Sequence, residues 1–288
     1  MPKYNAQETR IDTSSLEFQV LTRGSGDRDV LLLHGFPDDP GSMVPLMKRF
    51  EDRGYRAIAP YMRGYGETET PSLEPGNFSV TELARDVMSL ITSLDMDQPL
   101  LVGHDWGAVA ATVVSRLAPN VLSGCIAMAV PPDFLEAVNE HPRQIFNSWY
   151  MMMFQIPGFA EEVLRRDDFQ LIERLYSHWS HGWRYGKRVG KVKQTFETGE
   201  TVPASLRYYR DFFDEGMRTE IRGIETPTLL LAGNKDGCVS PRMFENSERC
   251  YVGKIKKEVL PNTGHFMHIS DTEKVWSEIT DFLDSVEV

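Results

Sequence analysis

The sequence predicts an α/β fold in which a mostly parallel β-sheet is covered by helices on both faces, and three observations favour it. Apolar runs of strand length alternate with segments of helical periodicity. One long helical stretch interrupts this alternation. Several of the loops that follow the apolar runs carry glycine together with histidine or aspartate, and ligand sites of open α/β sheets concentrate at such loops.

The first half of the chain contains the alternating strands and helices. Asp29–Leu33 and Tyr55–Pro60 are apolar runs of strand length, and each leads into a loop that contains glycine. Val80–Leu94 is predicted to be a helix because its apolar residues recur every three or four positions. A short apolar run, a helix of small residues and another strand follow: Pro99–Val102, Ala108–Leu117 and Val121–Val130.

The alternation stops at the dipeptide Pro131-Pro132. From there to about residue 219 the chain is rich in aromatic residues, methionine and arginine. The spacing of its apolar residues is helical rather than strand-like. We therefore predict a helical cap of residues 132–219, inserted into the sheet domain.

Strand character returns after this insertion. Ile224–Ala232 reads as a buried strand, a last strand is expected near Ile255–Leu260, and a closing helix begins at about Asp271. The sheet domain is therefore predicted to combine residues 1–131 with residues 220–288, and the complete prediction is an α/β fold with one inserted cap.

The length, composition and charge of the chain limit the classes of protein to which it can belong. A chain of 288 residues suits one large α/β domain or a core with an inserted subdomain. Its contents of 41% hydrophobic and 25% charged residues are typical of soluble globular proteins. The formal net charge of −11 disfavours nucleic acid and anionic membranes as partners, because the long-range field repels them.

The sequence also bears on compartment and cofactors. The first fifteen residues lack the apolar segment of a signal peptide, and no apolar run is long enough to cross a bilayer. We expect a cytoplasmic protein without membrane insertion, either a monomer or a homodimer. No dinucleotide, metal or phosphate-loop motif is supported, so we expect no cofactor and no metal.

Two further groups of residues are assigned no function. The dense basic run of residues 184–193 is expected to be a solvated surface. The three cysteines, Cys125, Cys238 and Cys250, are too widely spaced for a disulfide framework or a CxxC metal motif, so we expect free thiols.

The sequence GHDWG at residues 103–107 carries the strongest chemical signal. It has the G-x-S-x-G pattern of a nucleophile elbow, with aspartate in the serine position. A sharp strand-to-helix turn strains the backbone of the central residue, so its neighbours must be small. The side chain of Asp105 is then expected to project above the sheet at the start of a helix, where backbone N–H groups stabilise negative charge. We predict that Asp105 is a nucleophile.

An elbow nucleophile needs a base, a carboxylate that orients the base, and an oxyanion hole. The expected chain order is nucleophile, acid, then histidine. Asp236 follows the apolar run Thr228–Ala232, and His265 follows the strand predicted near Ile255–Leu260. The loop of residues 34–37 (HGFP) follows an early strand and is placed to supply an oxyanion N–H.

These motifs carry a family resemblance. From about Phe18 onward the chain resembles the α/β-hydrolase superfamily, and HGFPD together with GHDWG resembles soluble epoxide hydrolases and, less closely, haloalkane dehalogenases. The resemblance implies that Asp105 is the nucleophile, that His265 is the base and that Asp236 is the carboxylate partner of the base.

The resemblance also implies the rest of the site. The backbone N–H groups of Phe36 and Trp106 are expected to form the oxyanion hole, with a cis peptide bond before Pro37. Two candidates compete with the triad residues. Asp133 follows a strand at a position from which some dehalogenases supply the acid, and His268 lies close to His265. The AGNKDG loop favours Asp236, and the Gly-His placement favours His265.

Two cap segments resemble those that carry the ring-opening tyrosines of epoxide hydrolases. Residues 149–155 (WYMMMFQ) resemble the first, and residues 206–210 (LRYYR) resemble the second. By position within these motifs we predict that Tyr150 and Tyr209 are catalytic. Tyr208 occupies a position in which the family often carries an aromatic neighbour.

The chemistry of an aspartate nucleophile limits the classes of reaction that this site can catalyse. A carboxylate gains nothing by attacking an ester or amide carbonyl, but it attacks a saturated carbon that bears a strained or departing group. The product is an alkyl ester on Asp105, which water activated by His265 then hydrolyses. An epoxide oxygen also needs a protonated acid near neutral pH, and tyrosine, with a pKa of about 10, is one.

We therefore predict an epoxide hydrolase that acts on a small apolar epoxide with water. Two alternatives stay open. A dehalogenase with the same nucleophile would release halide and would not need the tyrosines. A ligand-binding homologue would bind without turnover, although the intact set of Asp105, Asp236, His265 and HGFP argues against it.

Overall fold

The computed structural model describes residues 4–215 and 222–286, and an eight-stranded sheet organises them. The strands in chain order are β1 (Gln7–Asp12), β2 (Glu17–Arg23), β3 (Arg28–Leu33), β4 (Tyr55–Pro60), β5 (Leu100–His104), β6 (Gly124–Met128), β7 (Thr228–Gly233) and β8 (Ile255–Leu260). Across the sheet they lie in the order β1-β2-β4-β3-β5-β6-β7-β8. The pairs β1–β2 and β2–β4 are antiparallel, and the other neighbours are parallel. The prediction of a mostly parallel sheet is therefore confirmed.

The helices form two groups. Those of the sheet domain are α1 (Val44–Asp52), α2 (Val80–Ser93), α3 (Trp106–Leu117), α10 (Met267–Ser270) and α11 (Thr272–Val286). In this group α2 packs against α3 and α1 packs against α11, which gives the sheet two covering layers. Every residue of β5 and β6 is buried, as expected for parallel strands that are covered on both faces.

The second group lies between β6 and β7. Its helices are α4 (Phe134–Glu140), α5 (Gln144–Asn147), α6 (Trp149–Met153), α7 (Phe159–Trp179), α8 (Gly186–Glu197) and α9 (Thr201–Glu215). We call these six helices the cap. They occupy the part of the chain for which the sequence predicts an insertion. The predicted boundary between residues 219 and 220 lies outside the described residues.

The antiparallel strands at one edge of the sheet were not predicted. β1 carries polar residues on both of its faces and has no fully buried residue, so no alternation of apolar and polar residues reveals it. The predicted strand Ile224–Ala232 also starts too early. Regular pairing begins at Thr228, while Ile224 forms an isolated bridge with Tyr251.

The basic run of residues 184–193 was expected to be a solvated surface. For Arg188 this expectation is wrong. Arg188 is 9% exposed. Its Nε donates to Asp38 Oδ1 at 2.8 Å, and its Nη2 donates to Asp39 Oδ1 at 2.6 Å. Thr195, about two turns after Arg188 on the same face of α8, donates to Asp39 Oδ2 at 2.7 Å. A buried ionic cluster therefore joins α8 of the cap to the loop that follows β3.

Candidate active site

The nucleophile turn joins β5 to α3. Asp105 has φ 52° and ψ −117°, a backbone conformation that costs a non-glycine residue on the order of 1–3 kcal/mol. Its neighbours have no room for side chains: a Cβ on Gly103 would lie 2.2 Å from the carbonyl oxygen of Gly107, and one on Gly107 would lie 2.3 Å from that of Leu33. The Asp105 N–H donates to the carbonyl oxygen of Met128 at 3.1 Å. The strained turn thus presents the carboxylate at the carboxyl edge of the sheet.

One backbone N–H group contacts the carboxylate, and a second candidate adjoins it in the chain. The N–H of Phe36 donates to Asp105 Oδ1 at 2.7 Å, and the peptide bond between Phe36 and Pro37 is cis. Trp106 directly follows Asp105 and is the first residue of α3. Its N–H is among those that have no partner within a helix. The N–H of Phe36 therefore contacts the carboxylate directly, and Trp106 adjoins Asp105 in the chain.

His265 connects the nucleophile with Asp236. Its Nδ1 lies 2.8 Å from Asp236 Oδ2, and its Nε2 lies 3.7 Å from Asp105 Oδ2, which is longer than a hydrogen bond. Asp236 Oδ1 accepts the backbone N–H groups of Cys238 and Val239 at 2.6 and 2.9 Å. The carboxylate of Asp236 is thereby fixed, and it holds the imidazole so that Nε2 faces Asp105.

Two carboxylates set the charge state of this imidazole. His265 is fully buried, and burial by itself lowers its pKa. The negative charges of Asp236 and Asp105 outweigh that effect and raise the pKa of His265 to about 10. With both carboxylates ionised, the imidazole therefore holds a proton at neutral pH.

The competing triad candidates have other partners. Asp133 Oδ2 lies 2.7 Å from Nη2 of Arg249, and Asp133 Oδ1 accepts a hydrogen bond from Ser247 at 3.2 Å. His268 Nε2 lies 3.8 Å from Asp38 Oδ2. Within the described residues, no ion pair joins Asp133 to a histidine or His268 to the nucleophile. The geometry therefore favours Asp236 and His265.

The two histidines inside the motifs have supporting contacts. Met62 donates its backbone N–H to His34 Nε2 at 3.1 Å, so the proton of His34 lies on Nδ1, which is 3.1 Å from the carbonyl oxygen of Gly35. His104 Nε2 lies 3.0 Å from the carbonyl oxygen of His265. Burial lowers the pKa of both His34 and His104, so both are neutral near pH 7.

Tyr150 and Tyr209 meet above the nucleophile turn. They are 3% and 2% exposed, and their ring centroids lie 5.7 Å apart with an interplanar angle of 84°. Burial, with a contribution from the charge of Asp105, raises the pKa of each phenol well above 10. Both therefore keep their protons at neutral pH. Tyr209 also packs edge to face against Trp106, at 5.1 Å between centroids.

Tyr208 has a structural role. Its hydroxyl donates to the carbonyl oxygen of Arg63 at 2.8 Å. Its ring packs against Trp106 and Tyr65, at centroid distances of 5.5 and 5.8 Å. These contacts separate Tyr208 from Tyr209, although the two residues are adjacent in sequence.

Two residues that were not predicted to belong to the site contact it. The Sγ of Cys238 lies 3.4 Å from the hydroxyl of Tyr150, and the buried amide of Gln144 donates to the carbonyl oxygen of Cys238 at 2.7 Å. No local sequence signal indicates these contacts, because the partners lie 88 and 94 residues apart.

A cavity of about 480 Å³ reaches from the reacting groups along α3. Asp105, Tyr150 and Tyr209 line it, and Glu136 and Arg222, which pair with each other, line it as well. Its other walls are mainly apolar and come from α3, α4 and α9: Val109, Val113, Phe134, Val138, Phe212 and Phe213. The cavity has the size and lining of a small-molecule site.

Two properties of the described residues bear on membranes and metals. None of their helices combines the length and apolar content that crossing a membrane requires. No three of their His, Cys or carboxylate side chains gather as a set of metal ligands.

Comparison with known proteins places the chain in a family. Residues 30–272 match the family described as "alpha/beta hydrolase fold". Epoxide hydrolase 3 of Xenopus tropicalis is 30% identical over 95% of this chain and 76% of its own length. Epoxide hydrolase 3 of Mus musculus is 28% identical over the same shares of the two chains. The solved epoxide hydrolase of Bacillus megaterium in complex with an inhibitor has a TM-score of 0.84 and 24% identity, over 96% of this chain and all of its own, which shows the fold. This chain belongs to the epoxide hydrolase family of the α/β-hydrolase superfamily.

Proposed function

We propose that this chain hydrolyses epoxides to vicinal diols through a covalent alkyl ester on Asp105. The observation that carries the proposal is that Asp105 meets two buried, protonated tyrosines, Tyr150 and Tyr209, in one cavity. A carboxylate attacks saturated carbon, and a phenol protonates the departing alkoxide. The names of the relatives support the same substrate class. In this proposal residues 132–219 act as the cap that supplies both phenols.

The first step opens the ring. A carboxylate oxygen of Asp105 forms a bond to one epoxide carbon, and the bond between that carbon and the epoxide oxygen breaks. The electron pair stays on the oxygen, which takes a proton from Tyr150 or Tyr209. The products of this step are a hydroxyalkyl ester on Asp105 and one tyrosinate. The raised pKa of both phenols keeps the proton available until the alkoxide forms.

The second step hydrolyses the ester. His265 removes a proton from water, and the hydroxide adds to the carbonyl carbon of Asp105, while the N–H groups of Phe36 and Trp106 stabilise the oxyanion. The bond to the diol oxygen then breaks, and that oxygen takes the proton from His265. The carboxylic acid of Asp105 returns its proton to the tyrosinate. The sum is epoxide plus water to diol, and neither step requires a cofactor.

Ester formation itself prepares the base. In the free enzyme Asp236 and Asp105 together raise the pKa of His265 to about 10 against the effect of burial. Esterification neutralises Asp105 and leaves Asp236 as the one remaining charge of this pair. The pKa of His265 therefore falls, the imidazolium releases its proton to solvent, and the neutral imidazole can then accept a proton from water; the released proton is taken up again when the carboxylate of Asp105 is regenerated.

The test is a paired assay of styrene oxide and (2-bromoethyl)benzene, in which diol and bromide are both quantified. We expect diol formation without bromide release. Bromide release without diol would assign the chain to dehalogenation and the tyrosines to packing. Saturable binding of both compounds without any product would assign it to the ligand-binding homologues.

A further inference from the structure

The cavity leaves the reacting groups along one helix. Asp105 immediately precedes α3, and Val109, Thr112 and Val113 line the cavity at successive turns of that helix. Val113 lies eight positions after Asp105, and at a rise of 1.5 Å per residue this corresponds to about 12 Å. With Phe134 on the facing wall, this part of the cavity forms an apolar arm. The arm can hold an extended apolar substituent.

Other aromatic rings pack against the reacting groups without lining the cavity. We call Phe36, Phe154 and Trp179 the aromatic wall; their exposed fractions are 0%, 0% and 1%. The ring of Phe154 lies 5.5 Å from that of Tyr150 and 5.4 Å from that of Phe36. Trp179 lies 5.1 Å from the ring of Tyr150 and 5.2 Å from that of His265. A substituent placed on this side would have to displace rings that contact catalytic groups.

Displacing the rings of the aromatic wall is energetically unfavourable. Protein interiors are packed at the density of organic crystals, and forcing a few extra carbon atoms into such packing moves side chains from their preferred rotamers. Here the displaced rings would carry Tyr150 and His265 with them, because both lie against Trp179. Binding in that direction would therefore also disturb the reacting geometry.

We propose that this site selects terminal epoxides, in which one ring carbon carries a single apolar substituent and the other carries only hydrogen. The substituent lies in the apolar arm, and the unsubstituted carbon faces the aromatic wall. This inference rests on the proposed epoxide hydrolysis and specifies its substrate class. Each methylene that the arm buries raises kcat/KM by about threefold to fourfold, until the length of about 12 Å is filled.

The first experiment compares two isomers with the same carbon count, 1,2-epoxyoctane and trans-4,5-epoxyoctane, using the wild-type chain. We expect kcat/KM for the terminal isomer to exceed that for the internal isomer by at least about tenfold. Values for the two isomers that agree within about threefold would overturn the inference and leave epoxide hydrolysis intact. Failure to hydrolyse either isomer, or styrene oxide, would instead reject the proposed function.

A second experiment locates the substituent. Val113→Phe adds a ring that projects into the apolar arm, so we expect the ratio of kcat/KM for 1,2-epoxyoctane to that for 1,2-epoxybutane to fall by about tenfold. Leu117→Phe is the matched control, because Leu117 ends the same helix and is 64% exposed; its ratio should equal that of the wild type. An unchanged ratio in Val113→Phe, in a variant that still hydrolyses either epoxide, would show that the substituent lies elsewhere and overturn the inference.

Discussion

The side chain of Gln144 in the cap binds the backbone of Cys238 in the sheet domain: its Nε2 donates to the Cys238 carbonyl oxygen at 2.7 Å. Its Oε1 accepts the N–H of Ser240 at 2.9 Å. One side-chain amide therefore satisfies both a backbone carbonyl oxygen and a backbone N–H of this loop. The N–H of Cys238 donates to Asp236 at 2.6 Å, and the Sγ of Cys238 lies 3.4 Å from the hydroxyl of Tyr150. The loop that holds Asp236, the proposed triad acid, therefore also contacts Tyr150, a proposed acid of the ring-opening step.

Gln144→Leu should test this connection. Leucine is close in volume, but it leaves the buried carbonyl oxygen of Cys238 and the half-buried N–H of Ser240 without their partner; a buried group left unpaired costs about 1–3 kcal/mol, and a half-buried one costs less because water can reach it. We expect the free energy of unfolding to fall by about 2–5 kcal/mol in urea titrations, and kcat for styrene oxide to fall more than KM rises. Gln170→Leu is the control, because Gln170 is exposed on α7. Equal effects of the two substitutions would contradict the connection.

Substitutions of the nucleophile and the base should separate the two chemical steps. Asp105→Ala removes the atom that forms the ester, so we expect no diol and no adduct. His265→Gln leaves the first step possible but removes the base of the second, so the ester should accumulate. Intact-protein mass spectrometry after mixing with styrene oxide should show a mass increase of one substrate, and peptide mapping should place it on Asp105. Diol production by Asp105→Ala would reject the nucleophile assignment.

The phenols of Tyr150 and Tyr209 should be required for ring opening. Replacing both by phenylalanine preserves the packed rings but removes the proton that the alkoxide needs, and general acid catalysis contributes about 10²–10⁴-fold. We expect kcat for styrene oxide to fall by at least that factor in the double variant, with smaller losses in each single variant. Tyr55→Phe is the control, because Tyr55 is a buried tyrosine that packs against Phe50 in the sheet domain. A double variant with wild-type kcat would assign both tyrosines to packing.

The parts of the fold and site that the sequence predicts are those with local signals. Buried parallel strands are continuous apolar runs, so β3, β4 and β5 were found to within two residues at each end. The nucleophile elbow is contained in five residues, and the strain that its glycines imply appears in the positive φ of Asp105.

The features that were missed depend on partners distant in sequence. Arg188 lies in a run that reads as solvated surface, and only the fold brings it to Asp38, 150 residues away. Gln144 has the same local pattern as an exposed helical glutamine, yet it is 2% exposed. The edge strand β1 has no buried face and therefore no periodicity to detect. Long-range pairing, which composition and spacing do not encode, decides each of these cases.

The raised pKa of His265 should make the stability of the folded chain depend on pH. An unfolded histidine has a pKa of about 6.5, and the pKa of His265 in the folded chain is raised to about 10. The stabilisation is therefore complete below pH ~6.5 and is lost as pH rises towards ~10. We expect the Tm of the wild type to fall between pH 7 and 10, and the Tm of His265→Gln to fall less. His181→Gln, at an exposed histidine, should follow the wild type; a wild-type slope in His265→Gln would contradict the raised pKa.

The ionic cluster around Arg188 should contribute strongly to the attachment of the cap. Arg188→Met removes the cation that faces the buried carboxylates of Asp38 and Asp39, and breaking a buried pair in this way costs about 3–5 kcal/mol. We expect a loss of that size in the free energy of unfolding at pH 7, measured by urea titration. Lys193→Met is the matched control on the same helix. Its partners, Asp168 and Glu173, are exposed, and such pairs contribute about 0–1 kcal/mol.

The effect of acid should distinguish lost charge pairing from lost packing. In the wild type, burial acts to raise the pKa of Asp38, but Arg188 and His268 together outweigh it and the pKa is lowered, so this stabilisation is present above pH ~4 and is lost as pH falls below it. Without Arg188, only His268 opposes the effect of burial, so the pKa of Asp38 is higher than in the wild type, and protonation relieves the charge that has lost its main partner. The difference in unfolding free energy between the wild type and Arg188→Met should therefore shrink as pH falls from 7 to 4. A difference that stays constant over this range would assign the contribution of Arg188 to the packing of its aliphatic carbons.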